Sequence, residues 1–514
     1  MTAPGIEYRF RSFRLDPGAF RLFCDETPVP LAPKGLDLLL LLVTRPGALV
    51  SKDEIMRALW PDVAVTDNAL TQVVSDLRQA LGDDSSSARF IETVPRRGYR
   101  FIAAVDLKTA RDPEANPISP ASLTTPVPPG ARAGVRETSS LDAYRAFTEG
   151  RLKLERMDAA QVPAGIADFE RAITLDPRYA PPYVGLAHAR FWLYEASRAH
   201  NRPDAPQLTA AIADAHHALD LDPDLAEAHA ALALMLTSAG RTIEAVAAGR
   251  RSVALEPGNW RNHCRLAVAA WGTERISAFQ RVLDLYPDFA YAYYGIAMVH
   301  IARGDLPRAE QTLRQGVPLQ DRQAGPIERF PGKGLHWLLG LTRLASGDSK
   351  EARVEFDLEL ASGGTDVYSA EFVMNAHDGN GFALLADSDT DGARAMFTRA
   401  LEAFPDHARS LLGLAAVHHR TGLTAQRDAG VDHATRAISE LRTGGRLAEA
   451  VMATAFCHVV SGRPAEATRV LDQLLAGAPP GFAGWTIPIE PFFKVLRAEP
   501  SFQAVLSRLS ERAR

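Results

Sequence analysis

Five stretches of helix-forming sequence beyond residue 139 end in a similar short motif that closes with proline. The motifs AITLDP, ALDLDP, VALEP, VLDLYP and ALEAFP end at Pro177, Pro223, Pro257, Pro287 and Pro405. The step from Pro223 to Pro257 is 34 residues, and within it Gly240 predicts a turn and Ala245 a close helix contact. Helix pairs of this kind bury their apolar faces only against their neighbours, so the pattern predicts a stacked helical array rather than one globular core.

The 34-residue step resembles the tetratricopeptide repeat (TPR), and the resemblance covers residues 139–480 in roughly nine degenerate units. Pro177 and Pro223 are 46 residues apart, which predicts an insertion of about twelve residues at Ser197–Gln207. Pro257 and Pro287 are only 30 apart, so that unit lacks part of a turn. Residues 481–514 break the pattern, and we expect them to form a helical cap over the last apolar face. The resemblance implies a protein or peptide partner on the concave face.

Residues 1–107 have a different texture, rich in aromatic and β-branched residues that alternate with period two near both ends. Between these strand-like ends, three helices are predicted over about 35–44, 51–60 and 67–81. Ser51 stands three residues before Glu54, which is the spacing of a helix capping box. After the third helix, RFIETVPRRGYRFIAAV predicts two strands joined by a tight basic turn.

This order of strands, helices and a terminal hairpin resembles the OmpR/PhoB-type winged helix of bacterial transcription regulators. The resemblance rests on LAPKGLDLLLLLV, VSKDEIMRALWP, DNALTQVVSDLRQALGD and IETVPRRGYRF, in that order, over about 100 residues. In this family the third helix enters the major groove and the hairpin wing touches the minor groove or its phosphates. The resemblance implies that Tyr99 packs the wing and that these residues face DNA: Asn68, Thr71, Gln72, Ser75, Arg78, Arg96 and Arg97.

The chemistry of the third helix agrees with that assignment. Leu70, Val74, Leu77 and Leu81 form its apolar stripe, and the polar candidates lie mostly on the other side, where amides and hydroxyls can read base edges. Two features predict modest nonspecific affinity for DNA. Residues 1–105 carry thirteen Lys and Arg against thirteen Asp and Glu, and Asp76 departs from the basic residue often found there in this family.

Residues 108–138 contain six prolines and few large apolar residues, the composition of a flexible, solvated linker. We therefore predict a mainly α chain with an N-terminal α+β winged helix-turn-helix domain (1–107), a linker (108–138), an all-α TPR solenoid (139–480) and a C-terminal cap (481–514).

Other site classes find little support in the sequence. Three widely spaced cysteines, Cys24, Cys264 and Cys457, make a metal knuckle or a disulfide framework improbable. Adjacent histidines on a helix point about 100° apart, so His216–His217 and His418–His419 do not form metal-binding pairs. Gly379-Asn380-Gly381 and the segment GPIERFPGKG lack the context of a phosphate loop and predict repeat packing and a loop. We expect no catalytic residues, no metal and no cofactor.

The functional hypothesis is a cytoplasmic, one-component regulator of signal-dependent transcription that is not an enzyme. The expected partners are double-stranded promoter DNA, a protein or peptide on the TPR face, and RNA polymerase. No secretory signal or membrane segment is expected, and no receiver-type phosphorylation site can be assigned. The alternative is a TPR scaffold in which the winged helix docks a protein instead of DNA. The sequence leaves open the operator, the inducing signal and the choice between activation and repression.

Overall fold

The computed structural model describes residues 6–16, 21–25, 27–29, 31, 33–59, 67–84, 88–94, 97–109, 138–155, 161–199, 203–323, 332–363 and 369–514. These fall into two compact units, 1–149 with 168–182, and 150–167 with 183–514. Most of the predicted linker lies outside the described residues.

The N-terminal part of the first unit combines short strands with three helices. In chain order the elements are β1 Ile6–Phe10, β2 Phe13–Asp16, β3 Arg21–Cys24, β4 Thr27–Val29, α1 Pro33–Val43, β5 Leu49–Ser51, α2 Lys52–Leu59, α3 Asp67–Leu81, β6 Ile91–Val94, β7 Gly98–Phe101 and β8 Asp106–Thr109. One antiparallel sheet has the order β4-β3-β2-β1-β8, and a second has the order β5-β7-β6. β8 extends two residues past the predicted boundary at 107.

The core of this domain is built from the residues that the apolar pattern selects. The α3 stripe of Leu70, Val74, Leu77 and Leu81 is at most 2% exposed. Edge-to-face contacts join Phe10 to Phe90 and Phe101 and so connect β1 to the hairpin. The capping box is confirmed at its first half, since the Glu54 amide donates to Ser51 Oγ at 3.2 Å. Trp60 lies outside the described residues.

The described residues from 138 onward are mainly helical, and from α8 to α21 the helices form seven consecutive pairs. The helices are α4 Leu141–Glu155, α5 Val162–Leu175, α6 Pro181–Ala199, α7 Ala205–Leu221, α8 Ala226–Ser238, α9 Thr242–Leu255, α10 Trp260–Ala269, α11 Gly272–Leu285, α12 Ala290–Ala302, α13 Leu306–Arg322, α14 Leu335–Ser346, α15 Ser349–Ala361, α16 Ser369–Ala386, α17 Thr390–Ala403, α18 Ala408–Arg420, α19 Thr424–Thr443, α20 Leu447–Val460, α21 Pro464–Gly477 and α22 Pro500–Arg512. From α7 onward each helix packs against the next, and the first helices of successive pairs from α8 to α20 also touch one another.

The two irregular steps have simple structural origins. The insertion lengthens α6 and α7 to 19 and 17 residues, whereas α8 and α9 have 13 and 14. The short step reflects a first helix, α10, of only 10 residues. Gly240 makes the predicted turn between α8 and α9 with φ +72°, a conformation in which a side chain is strained.

Glycine opposite phenylalanine sets the spacing of the later helices. A Cβ atom on Gly340 or Gly379 would lie 2.6 or 2.5 Å from Cε1 of Phe356, closer than side chains tolerate. Phe397 sits in the same way between Gly381 and Gly413. Gly379-Asn380-Gly381 is therefore buried packing surface inside α16, as the repeat pattern predicts. Of the GPIERFPGKG segment, residues 325–331 lie outside the described part.

The C-terminal segment, residues 478–514, does more than cover the last pair. It contains two 3-10 turns, Ile487–Ile489 and Pro491–Leu496, followed by α22. α22 packs on α21, the helix that a cap would cover, but it also touches α12, and the 3-10 turns contact α12, α14 and α20. The segment thus runs back along the first helices of several pairs. In the described residues, no helix is long and apolar enough to cross a bilayer.

A charged side chain at position 245 tests the stacked array. Ala245 on α9 is completely buried, and one turn later a Cβ on Gly249 would lie 2.9 Å from Leu266 Cα on α10. We expect Ala245→Arg to lower the free energy of unfolding by about 3 kcal/mol, through overpacking and charge burial. Ile243→Arg, on the same helix but 80% exposed, should change it by less than about 0.5 kcal/mol. Urea unfolding followed by helical circular dichroism measures both; equal effects would contradict the close α9–α10 contact.

Candidate nucleic-acid interface

Helix α3 carries five of the predicted DNA-facing residues, and its buried stripe determines the face on which four of these positions lie. Because Leu70, Val74 and Leu77 are buried, positions 68, 71, 72 and 75 share the opposite side, spaced by three or four residues. Thr71 and Ser75 are exposed there. The backbone of Asn68 and Gln72 belongs to α3, whereas their side chains lie outside the described part. The structure therefore presents two hydroxyls on this face and places the two amide residues on the same helix.

Arg78, the fifth candidate on α3, turns toward the hairpin. Its Nη2 donates to the Ile91 carbonyl oxygen at 2.9 Å and to Thr93 Oγ1 at 2.8 Å. Its Nε is buried and makes no hydrogen bond in the described part of the protein. These bonds join the end of α3 to β6, so Arg78 fixes the wing relative to the helix.

The wing is the hairpin of β6 and β7, and its turn carries the last two candidates. Arg97 is exposed; its amide donates to the Val94 carbonyl at 3.0 Å, and its own carbonyl accepts from the Lys52 amide at 3.1 Å. These two bonds close the turn and tie it to the start of α2. Arg96 lies outside the described residues. In the described part, Arg97 makes no ion pair, which leaves its charge available to a phosphate.

Gly98 and Tyr99 hold the base of the wing against β5. Gly98 has φ +152°, and a Cβ there would overlap the Val50 carbonyl and lie 2.9 Å from Ser51 Cα. Tyr99 is 5% exposed and pairs with Val50 on one side and Thr93 on the other. Tyr99 thus packs the wing, as the family resemblance implies.

Asp83 is a positioning residue that the sequence reasoning missed. Its carboxylate accepts from the backbone amides of Arg89, Phe90 and Ile91 at 2.6, 3.2 and 2.8 Å. These bonds set the course of the chain from α3 into β6. An acidic residue just after the helix-ending Gly82 was the available signal, because short acidic side chains commonly bond nearby amides in turns.

Ion pairs neutralise two other basic residues around the interface. Arg100 Nη1 lies 3.0 Å from Glu92 Oε2, and Arg45 pairs with Glu54. Both pairs are partly exposed, so they add little stability but reduce the free positive charge.

Comparisons with known proteins bear on both regions. Residues 26–101 match the family described as "Transcriptional regulatory protein, C terminal". The N-terminal domain belongs to this OmpR/PhoB-type family. Residues 276–325 and 381–426 match the tetratricopeptide repeat, so the helical region is a TPR array.

Individual relatives share the winged-helix region. A cholera toxin homolog transcriptional activator of Vibrio parahaemolyticus is 34% identical over 112 residues, 21% of this chain and 38% of that protein. The transcriptional activator CadC of Escherichia coli is 38% identical over 76 residues, 15% of each chain. The chain thus spans less than two-fifths of either relative. The Klebsiella pneumoniae RstA DNA-binding domain, solved with RstA box, is 26% identical, with 19% of this chain and 96% of that one covered and a TM-score of 0.18.

The close approach at Gly98 predicts a local instability when a side chain is added. We expect Gly98→Ala to lower the opening free energy of the β5–β7 pairing by about 3 kcal/mol, through backbone strain and steric overlap. Gly47→Ala is the control, because Gly47 has φ +77° but no atom within 4 Å of the added Cβ. We expect Gly47→Ala to lower the free energy of opening by only about 1 kcal/mol, because it introduces backbone strain without steric overlap. Hydrogen exchange of the β5 and β7 amides measures the difference, and equal effects would remove the steric argument.

Proposed function

We propose that this chain is a transcription regulator whose winged helix binds promoter DNA through α3 and the wing. The observation that carries the proposal is the exposed pair Thr71 and Ser75 on α3 together with an exposed Arg97 that makes no ion pair in the described part, in a domain of a DNA-binding family. Asn68, Thr71, Gln72 and Ser75 are the proposed groove-facing residues. Arg96 and Arg97 are the proposed phosphate contacts, and Arg78 acts chiefly by positioning the wing.

The TPR array supplies the second half of the proposal. Its helix pairs present an extended surface of the kind that binds proteins and peptides, and we propose that control of the regulator comes through such a partner. RNA polymerase is a further proposed partner, contacted when the domain sits on a promoter. Since bacterial promoter DNA lies in the cytoplasm, the proposal places the protein there, acting without enzymatic chemistry.

Binding of the purified full chain to genomic fragments tests the proposal against the scaffold alternative. A regulator enriches a few promoter fragments over bulk DNA, and mapping of bound DNA across the genome should return the same sites. A protein that retains its fold yet shows no sequence preference and no salt-dependent DNA binding would instead be a scaffold with a protein-docking winged helix. The family match favours the first outcome.

The wing arginines should determine part of the salt dependence. Each phosphate contact adds about −0.9 to the slope of log affinity against log salt, because binding releases condensed counterions. We expect Arg96→Ala/Arg97→Ala to flatten that slope by up to about two units, measured by fluorescence anisotropy of duplex DNA. Arg9→Ala is the matched control, because Arg9 is exposed on β1 and paired with Glu7. An unchanged slope and affinity in the double variant would remove the wing from the interface.

Gln72 should contribute to sequence discrimination rather than to general affinity. We expect Gln72→Ala to relax the preference at one base pair by about 1 to 3 kcal/mol and to leave nonspecific binding nearly unchanged. The measurement is a competition series in which each base pair of the bound site is varied. Ser75→Ala, on the same face, is the control, and it should relax the preference at a different base pair or at no base pair. Equal weakening on every sequence would mark Gln72 as a phosphate or sugar contact.

A further inference from the structure

Residues 485–496 of the chain lie against the first helices of the later TPR pairs, and we call this segment the occupant. The two 3-10 turns contact α12, α14 and α20, each the first helix of its pair, and also α21. The buried residues are Ile487, Ile489, Phe492, Phe493 and Leu496, none more than 7% exposed. In TPR arrays this row of first helices is the concave surface where extended ligands bind.

An aromatic side chain anchors the occupant. The Phe492 ring packs edge-to-face on Phe382 of α16 at a centroid distance of 4.9 Å, and stacks on Phe456 of α20 at 4.8 Å. Trp485 meets Tyr294 of α12 edge-to-face at 6.3 Å. Phe492 thus packs against the first helices of two TPR pairs, which is how a hot-spot residue anchors a peptide.

A buried carboxylate forms the second anchor, two residues before the aromatic one. Glu490 Oε2 lies 3.2 Å from Nη2 of Arg409 on α18, and both residues are less than 9% exposed. The Arg409 guanidinium also lies over the Phe382 ring, 4.9 Å from its centroid. The charged anchor and the aromatic anchor therefore share the same patch of α16 and α18.

The occupant resembles a bound peptide rather than another helix of the array. In the described residues, its backbone–backbone hydrogen bonds stay within the segment, from Ile489 and Glu490 to Thr486 and from Phe493 to Glu490. The segment contacts the TPR helices through side chains; Glu490 Oε2, for example, accepts from Nε of Arg409 at 3.3 Å. Specificity accordingly resides in the order of side chains, which a segment of another protein can reproduce.

The helices of the groove keep contacts with one another that do not involve the occupant. Arg409 retains a second carboxylate, because Asp378 Oδ2 lies 3.6 Å from its Nη1 on the side of α16. The helices themselves remain joined by Phe356 and Phe397, which pack against glycines of neighbouring first helices without the C-terminal segment. Loss of Glu490 and Phe492 from the groove would thus leave neither an isolated charge nor an unsupported helix pair.

We propose that the face of α16, α18 and α20 is a peptide-binding groove, and that residues 485–496 are its resident ligand. The partner is a protein segment with a carboxylate for Arg409 and, two residues later, an aromatic ring for the space between Phe382 and Phe456. Such a partner and the resident segment exclude one another. This inference rests on the proposed partner-binding role of the TPR array and names the chemistry of that partner.

The test uses the full chain and a fluorescein-labelled synthetic peptide of residues 484–497. Glu490→Gln/Phe492→Ala in the chain weakens both anchors, so we expect that variant to bind the unaltered peptide at least tenfold more tightly than the wild-type chain does. Val495→Ala is the matched control, because Val495 belongs to the same segment but is 67% exposed, and it should behave as wild type. A further Arg409→Met change in the double variant should abolish the gain, as should the two anchor changes made in the peptide.

Three results would overturn the inference. One is a double variant that retains wild-type helicity and cooperative unfolding but does not capture the peptide. Another is capture that survives Arg409→Met, because the charged anchor would then be irrelevant. The third is a concentration-dependent dimer of the double variant without peptide capture, which would assign the groove to a second copy of the chain.

Hydrogen exchange in the wild-type chain gives a check that needs no variant. If the resident segment leaves as a unit, the amides of Ile489, Glu490 and Phe493 exchange at least tenfold faster than buried amides of α16 and α18. Equal exchange would make the segment an integral part of the array and overturn the proposal. Promoter binding measured on the same samples keeps the two questions apart: loss of DNA binding with peptide capture intact contradicts the regulator proposal alone.

Discussion

The array depends on how closely one helix can approach the next, and glycine facing a phenylalanine ring controls that approach. Phe356 lies against Gly340 of its own pair and Gly379 of the following pair, and Phe397 repeats the arrangement with Gly381 and Gly413. The ring fills the space that the missing side chains leave, so each of these phenylalanines joins two successive pairs. Stacking of this kind produces the continuous row of first helices on which a ligand can lie.

The winged helix also depends on a close approach, but there two backbone segments meet instead of a ring and a glycine. Gly98 lets β7 press against β5, Asp83 directs the chain into β6, and Arg78 joins α3 to that strand. These contacts fix the angle between helix and wing, which the proposed DNA binding requires because both would meet one duplex. Under that proposal, residues that fix this angle contribute to recognition by positioning the side chains that face DNA.

Local patterns made much of the fold predictable. The limits of α3 at 67 and 81, its buried stripe, the Ser51 cap and the turn at Gly240 all follow from spacings of a few residues. The course of residues 478–514 could not be predicted from such spacings, because Glu490 contacts Arg409 across 81 residues and Arg497 contacts Ala345 across 152. Periodicity indicates that a segment departs from the repeat but not where it goes. Likewise, the motif placed Arg78 near DNA, whereas its bonds to β6 depend on tertiary packing.

Arginine occurs in two opposite electrostatic settings, one solvated in the winged helix and one buried in the TPR array. The two settings favour different kinds of recognition. In the winged helix, Arg45 and Arg100 are neutralised by partly exposed glutamates, and Arg97 is left uncompensated in the described part of the domain. In the array, Arg409 is buried between two carboxylates, one from α16 and one from the C-terminal segment. A solvated, unpaired charge attracts any phosphate and therefore contributes affinity with little selectivity. A buried charge is strongly selective, because an occupant without a carboxylate in the right place leaves it poorly compensated. Under the two proposals, selectivity for DNA comes from the polar face of α3, whereas selectivity for a protein partner comes from Arg409 together with the aromatic rings of Phe382 and Phe456.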